Sequence, residues 1–232
     1  MITNPPTSLF NFFGMHKILA LVLLGLAPCA ARAEEALTPL KLSFPPPILT
    51  GTPVPNKLTN LESPSARPAP IFVSADVINL AKGKSVTSSD PAPVIGDLSI
   101  VTDGDKESEE GYFVELDRGR QWVQIDLGIS AELYAIAVWH YHAQSRAYLE
   151  VIVQVSDDPT FKQNVRTLFN NDDKNHAGFG VGTSPAYLDK NTGRLIPANK
   201  AVARYVRLYS AGNTANELNH YIEVEVFGRP RA

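Results

Sequence analysis

Ile222-Glu223-Val224-Glu225-Val226-Phe227-Gly228 alternates apolar and acidic side chains and stops at glycine. Successive side chains of a strand point to opposite faces, so this reads as a strand with one apolar face to bury and one face of carboxylates. Far upstream, Thr102-Asp103-Gly104-Asp105 is a tight acidic turn. A hard cation takes six to eight oxygens, which carboxylates and turn carbonyls supply. The two stretches together point to a β-sandwich that closes around a cation.

Other segments share the period of two. Gln121-Trp122-Val123-Gln124-Ile125-Asp126-Leu127-Gly128 alternates and stops at glycine, and Leu133 to Tyr141, Tyr148 to Ser156, Arg204 to Ser210 and Tyr221 to Phe227 do the same. Asp189-Lys190-Asn191-Thr192-Gly193-Arg194 has the composition of a hairpin turn. No segment carries a sustained 3.6-residue apolar period. The predicted fold is therefore all-β, an antiparallel β-sandwich over residues 77–229, in which each strand has one face to bury.

The residues ahead of it read differently. Met15 to Ala33 has the three parts of a secretory signal: Lys17, an apolar run from Ile18 to Ala27, and Ala31-Arg32-Ala33 as a small-x-small cleavage site. Residues 1–33 are thus expected to be a signal peptide, with Met15 a start site and residues 1–14 an upstream extension. The apolar run is too short to span a bilayer. The expected location is secreted or periplasmic, with no membrane span in the mature form. Cys29 is the chain's single cysteine and leaves with the signal. Leu26-Ala27-Pro28-Cys29 touches on a lipoprotein acylation site, but proline stands where such sites carry a small residue, so a lipid anchor at Cys29 is the lesser reading.

Cleavage removes Lys17 and Arg32, two cations and no acid, and takes the formal charge from −3 to −5. An acidic product lacks the cationic footprint of a nucleic-acid binder. From Pro39 to Pro70 the chain carries nine of its eighteen prolines among Ser, Thr and Asn. This is linker composition, and residues 34–76 are expected to be extended and poorly ordered.

Asn79-Leu80-Ala81-Lys82-Gly83-Lys84-Ser85-Val86-Thr87-Ser88-Ser89, Asp103-Gly104-Asp105, Trp122 to Gly128, Val153-Gln154-Val155-Ser156-Asp157-Asp158, Ala203-Arg204-Tyr205-Val206-Arg207-Leu208 and Glu223 to Gly228 occur in the order seen in discoidin domains. The chain resembles that family, also called the coagulation factor five/eight type C domain, within the galactose-binding-like group. The resemblance covers about two-thirds of the chain. It implies a jelly-roll-like sandwich that binds ligands through loops at one end. It also implies a structural calcium, held by the side chains of Asp103 and Glu223 and by the backbone of Asp105, Ile222 and Ile100. The unusually acidic Lys106-Glu107-Ser108-Glu109-Glu110 departs from the family's pattern after the turn.

A second constellation is Trp139-His140-Tyr141-His142, followed by Arg146 and Tyr148. Residues two apart on a strand share a face, so His140 and His142 are expected to project together. Two imidazoles alone do not make a zinc centre, which takes three or four protein ligands. Sugar recognition needs an aromatic face and fixed hydrogen-bonding groups, and His140, His142, Arg146, Asn219 and His220 have the right chemistry for such a site. Gly178-Phe179-Gly180-Val181-Gly182 lacks the strand and helix that would make it a phosphate loop, and reads as a flexible insert. Arg204 and Arg207 are expected to pair within the sheet. No Ser, His and acid stand in the pattern of a nucleophilic triad.

The expected function is an exported, non-catalytic module that binds a glycan or other cell-surface ligand, with a structural calcium. The alternatives are an adhesive module that contacts another protein without a sugar pocket, and a metal-dependent enzyme built on His140 and His142.

Overall fold

The computed structural model describes residues 36–51, 57–63 and 69–231. The expected signal peptide, with Met15, Lys17 and Cys29, lies outside the described residues. Among the described residues eleven strands follow one another: β1 (Thr38–Pro39), β2 (Phe72–Val73), β3 (Ile78–Asn79), β4 (Val86–Ser88), β5 (Val114–Leu116), β6 (Gln121–Trp139), β7 (Ile152–Ser156), β8 (Arg166–Asn170), β9 (Arg194–Ser210), β10 (Asn219–Tyr221) and β11 (Glu223–Pro230). The helical element among them is a 3-10 turn, Leu98–Thr102, capped by Asp97, whose carboxylate accepts from Ser99 N. Every strand pair is antiparallel.

The sandwich is built on two long strands. β6 and β9 pair along their lengths, from Gln121 opposite Ser210 to Val138 opposite Arg194, with register shifts between Asp126 and Ala131 and between Leu133 and Ala135. The sequence reads Gln121–Gly128 and Leu133–Tyr141 as separate strands. They are instead one strand that bends, and Gly128, at φ +79°, takes the bend. Around the first half of β6 the order is β4, β6, β9, β7, β8, and around the second half it is β3, β11, β6, β9. β5 pairs with β10 separately.

The two halves face each other across one apolar core. Val123, Ile125 and Leu127 from one half of β6 join Ile136 and Val138 from the other, with Val153 and Val155 of β7, Val206 and Leu208 of β9, and Val224 and Val226 of β11. Arg204 pairs with Asp126 at 2.7 Å, and Arg207 Nε donates to Gln124 Oε1 at 2.8 Å, so both guanidiniums are held within the sheet as expected. Phe179 packs on Tyr209 at 4.9 Å and Gly180 N donates to Asn175, which ties down the glycine-rich insert read as flexible.

The alternation of β11 takes an unexpected partner on its other side. Ala135, Ala137 and Trp139 of β6, with Phe227 of β11, form a second apolar face, covered by Leu40, Leu42, Ile71 and Val77. Leu40, Leu42 and Ile71 come from the expected linker, and Val77 directly follows it. Thr38 and Pro39 pair with Val73 and Phe72, Thr50 N donates to Ala143 O at 2.6 Å, Asn191 Nδ2 donates to Pro45 O at 2.8 Å, and Arg194 meets Glu62 at 2.6 Å. These contacts tie the described residues of 34–76 to the sandwich. The outer face of the sheet is apolar, and Leu40, Leu42 and Ile71 of the segment pack on it half-buried while most of the segment stays exposed.

Candidate functional site

The acidic turn and the last strand meet. Gly104 N donates to Glu223 Oε2 at 3.1 Å, while Asp103 Oδ1 accepts Asp105 N at 2.8 Å and Ile100 O accepts Asp103 N at 3.2 Å. Ile222 N donates to Trp139 O at 2.8 Å, which fixes the approach of Glu223 to the turn. Glu223 is 0% exposed and its Oε1 has no hydrogen-bond partner. Burial pushes its pKa up to about 9; Glu225 and Asp103 act in the same direction, against the Gly104 amide and Lys106. Glu225 pairs with Lys106 at 2.8 Å, and Lys106 Nζ also donates to Ser43 Oγ of the docked segment. The expected carboxylate face is thus an interior surface. A buried carboxylate with an unpartnered oxygen, beside an acidic turn, fits a hard cation well.

The second constellation is also gathered by the fold, but it is interior. His140 is 1% exposed, His142 4%, Arg146 4%, Asn219 0% and His220 3%. β6 ends at Trp139, so the two-residue face rule lapses just where the histidines begin, and they take different partners. His140 Nδ1 lies 3.0 Å from Asp189 Oδ1, and its ring stacks on Tyr148 at 4.3 Å. His142 Nε2 lies 3.0 Å from the Lys106 carbonyl, an acceptor, so the imidazole donates there. Burial lowers the pKa of His142, so the neutral ring leaves Nδ1 as a lone-pair acceptor.

His220 is neutral too: burial, then the charges of Arg146 and His140, bring its pKa down to about 3. A neutral imidazole has one donor and one acceptor. Burial keeps the Tyr148 phenol protonated, so Tyr148 Oη donates to His220 Nδ1 at 2.8 Å and His220 Nε2 donates to Glu115 Oε2 at 2.8 Å. Asn219 is a joint in the chain path. Its Oδ1 accepts from Ser210 Oγ and Gly212 N, and its Nδ2 donates to the Asp117 and Gly119 carbonyls. Arg146 lies over the half-buried Tyr141 ring at 4.7 Å and bonds Gln144.

Four polar atoms of this end of the sandwich remain buried and unpaired: His140 Nε2, His142 Nδ1, Arg146 Nε and Asp189 Oδ2. His142 and Asp189 line a recess of about 250 Å³ with Ser145, Lys190 and Asn191, walled on one side by Pro47, Ile48 and Leu49. In the sequence Asp189, Lys190 and Asn191 carry the signature of a turn only. Their signal was the carboxylate in that turn, but its approach to histidines some 50 residues upstream follows from the fold and not from spacing. No third His, Cys or carboxylate among the described residues joins both His140 and His142 in a metal-binding group.

This is an all-β antiparallel sandwich with a recess of mixed lining at one end. The solved structures it resembles include carbohydrate-binding modules and a glycoside hydrolase. One is the Clostridium perfringens module CpGH89CBM32-4 in complex with GlcNAc-alpha-1,4-galactose, at 16% identity and a TM-score of 0.49, covering 67% of this chain and 96% of that one. Another is chitosan-binding module 1 of a chitosanase/glucanase from Paenibacillus sp. IK-5, at 23% identity and a TM-score of 0.43, covering 65% of this chain and 99% of the module. A family 89 glycoside hydrolase from Clostridium perfringens matches at 17% identity and a TM-score of 0.48, over 66% of this chain and 15% of the enzyme. No family model and no curated protein sequence matches the chain.

Proposed function

We propose that this chain is an exported, non-catalytic module that binds a carbohydrate or similar hydroxyl-rich surface ligand at the recess beside His142 and Asp189, with a structural calcium at Asp103, Asp105, Ile222 and Glu223. The observation that carries the ligand reading is the set of buried, unpaired polar atoms at the recess end. Leaving such a group unsatisfied costs about 1–3 kcal/mol. The His142 lone pair and the Asp189 carboxylate oxygen accept, and Ser145 and Lys190 of the same lining donate. A hydroxyl both donates and accepts, so a sugar ring answers this mixed set better than an ion of either sign. The recess, about 250 Å³, lies just below the volumes of drug-sized sites, roughly 300 Å³ upward, and suits one ring. His140, Asn219 and His220 serve this site as positioning residues, each held by partners within the fold. The signal-like sequence of residues 15–33 supports a secreted or periplasmic location.

A glycan array probed with the full chain, followed by calorimetric titration of a hit, tests the reading. His142→Ala removes the recess acceptor and is expected to weaken binding about tenfold, or about 1.4 kcal/mol, with an unchanged circular dichroism spectrum. Arg146→Ala is expected to lower Tm as well as affinity, because the guanidinium is packed on Tyr141. An array without hits, or equal affinity in wild type and His142→Ala, sinks the reading.

Protein adhesion, the second reading, rests on a separate groove of about 350 Å³ lined by Leu37, Ile71, Phe72, Tyr134 and Pro197, where Leu37 and Phe72 are exposed. An apolar surface of this kind suits a protein partner.

A further inference from the structure

On another part of the surface, two hydrogen bonds lock Asn171 to Val151: Asn171 N donates to Val151 O at 3.1 Å, and Asn171 Oδ1 accepts Val151 N at 2.7 Å. The residues flanking this clasp, Glu150 and Asp172, become neighbours. Asp172 then folds the following turn around itself, accepting His176 N at 3.1 Å and Ala177 N at 2.7 Å. The turn carries His176 back to Glu150, with Nδ1 3.1 Å from Oε1. One ligand atom from each of Glu150, Asp172 and His176 lies within 4.8 Å of the others.

Two further observations single this place out. Glu150 has φ +51°, a left-handed conformation that a residue with a Cβ adopts at a cost and that recurs at ligand sites. Asn171 lines a second recess, of about 230 Å³, with Glu150, Asp172 and His176, and its Nδ2 is buried without a partner. Both Asp172 oxygens accept one amide each and keep a second lone pair.

We propose that Glu150, Asp172 and His176 form a binding site for a divalent transition metal of the zinc class. One imidazole and two carboxylates are the borderline nitrogen and oxygen donors that zinc takes, and three protein ligands leave its fourth position open. Zinc bonds of about 2.0–2.2 Å place ligand atoms about 3.4 Å apart in a tetrahedron, a modest closure of the present spacing. The fourth position faces the recess, where Asn171 Nδ2 is the donor that an exogenous oxygen ligand would accept. The set is distinct from the calcium ligands, which are all oxygens.

Isothermal titration of the full chain with zinc chloride, alongside thermal melts, tests this site. One bound zinc and a rise in Tm are expected. His176→Ala should abolish both, and the side chain is exposed enough for the variant to fold. Glu150→Gln should weaken binding at least tenfold, whereas His142→Ala and Glu223→Gln should bind as wild type. The proposal is overturned if saturating zinc leaves wild-type Tm unchanged, if His176→Ala binds zinc undiminished, or if the loss appears in His142→Ala instead. None of these outcomes depends on glycan binding.

Discussion

At pH 8, calcium is expected to raise the melting temperature of the wild-type chain, and Glu223→Gln to remove that rise. A ligand held only by the folded state stabilises it by about 2.7 kcal/mol at a hundredfold excess over its Kd. The calcium-free protein should behave in the opposite sense. Without a cation, burial holds the Glu223 carboxyl protonated up to about pH 9, whereas an unfolded glutamate releases its proton near pH 4.5. Between those values the folded state binds one more proton than the unfolded chain. Stability in chelator therefore falls as pH rises through the window, by at most about 1.4 kcal/mol per pH unit. Glutamine is neutral and of the same shape, so Glu223→Gln should flatten this slope in chelator while forfeiting the calcium response. Melts from pH 5 to 9, with calcium and with chelator, read both effects. Wild-type melting that ignores calcium and chelator alike would remove calcium from Glu223.

The second large effect is expected at Gly193. It lies at φ +63° in the turn before β9, and a Cβ there would meet Trp139 Cε2 at 2.6 Å. Trp139 cannot yield readily, since it is wholly buried and its Nε1 donates to Asn191 O at 2.9 Å. Gly193→Ala thus combines a left-handed backbone with an overpacked indole, and should cost about 2–4 kcal/mol. The turn also carries Lys190 and Asn191 to the recess, so ligand affinity should fall with stability. Denaturant titration followed by tryptophan emission measures the first effect. An unchanged midpoint and spectrum would show that the turn yields without strain.

The strands were legible because their faces differ. Val123, Ile125, Val224 and Val226 alternate with polar neighbours, and all four reach the core. Asp103 and Glu223 were legible as a pair because an acidic turn and a carboxylate strand each carry a local signature, and Gly104 N does bond Glu223. The docking of the proline-rich stretch was not. Leu40, Leu42 and Ile71 are sparse and without period, and what they pack on is the outer face of Ala135, Ala137, Trp139 and Phe227, which lies far away in sequence. Nor could spacing show that His140 would meet Asp189, or His220 meet Glu115. These partners lie 49 and 105 residues away. Histidine, arginine and asparagine at the end of a sandwich suit a ligand and an internal hydrogen-bond network equally, and only burial separates the two.

The last strand of the sandwich lies between an early strand and the central one: β11 pairs with β3 on one side and β6 on the other. The two central strands pair at a like distance in sequence, with Gln121 opposite Ser210. Each demands a long loop to be closed before its contacts return anything, which places such a topology among the slow folders, at milliseconds to seconds. Until residues 223–230 arrive, β6 keeps a bare hydrogen-bonding edge and the core lacks Val224 and Val226. A bare edge is a template for a neighbouring chain. The risk of aggregation is therefore concentrated in the interval before the final strand docks, and a partner that shields the β6 edge during that interval would raise the yield of folded protein without changing its final stability.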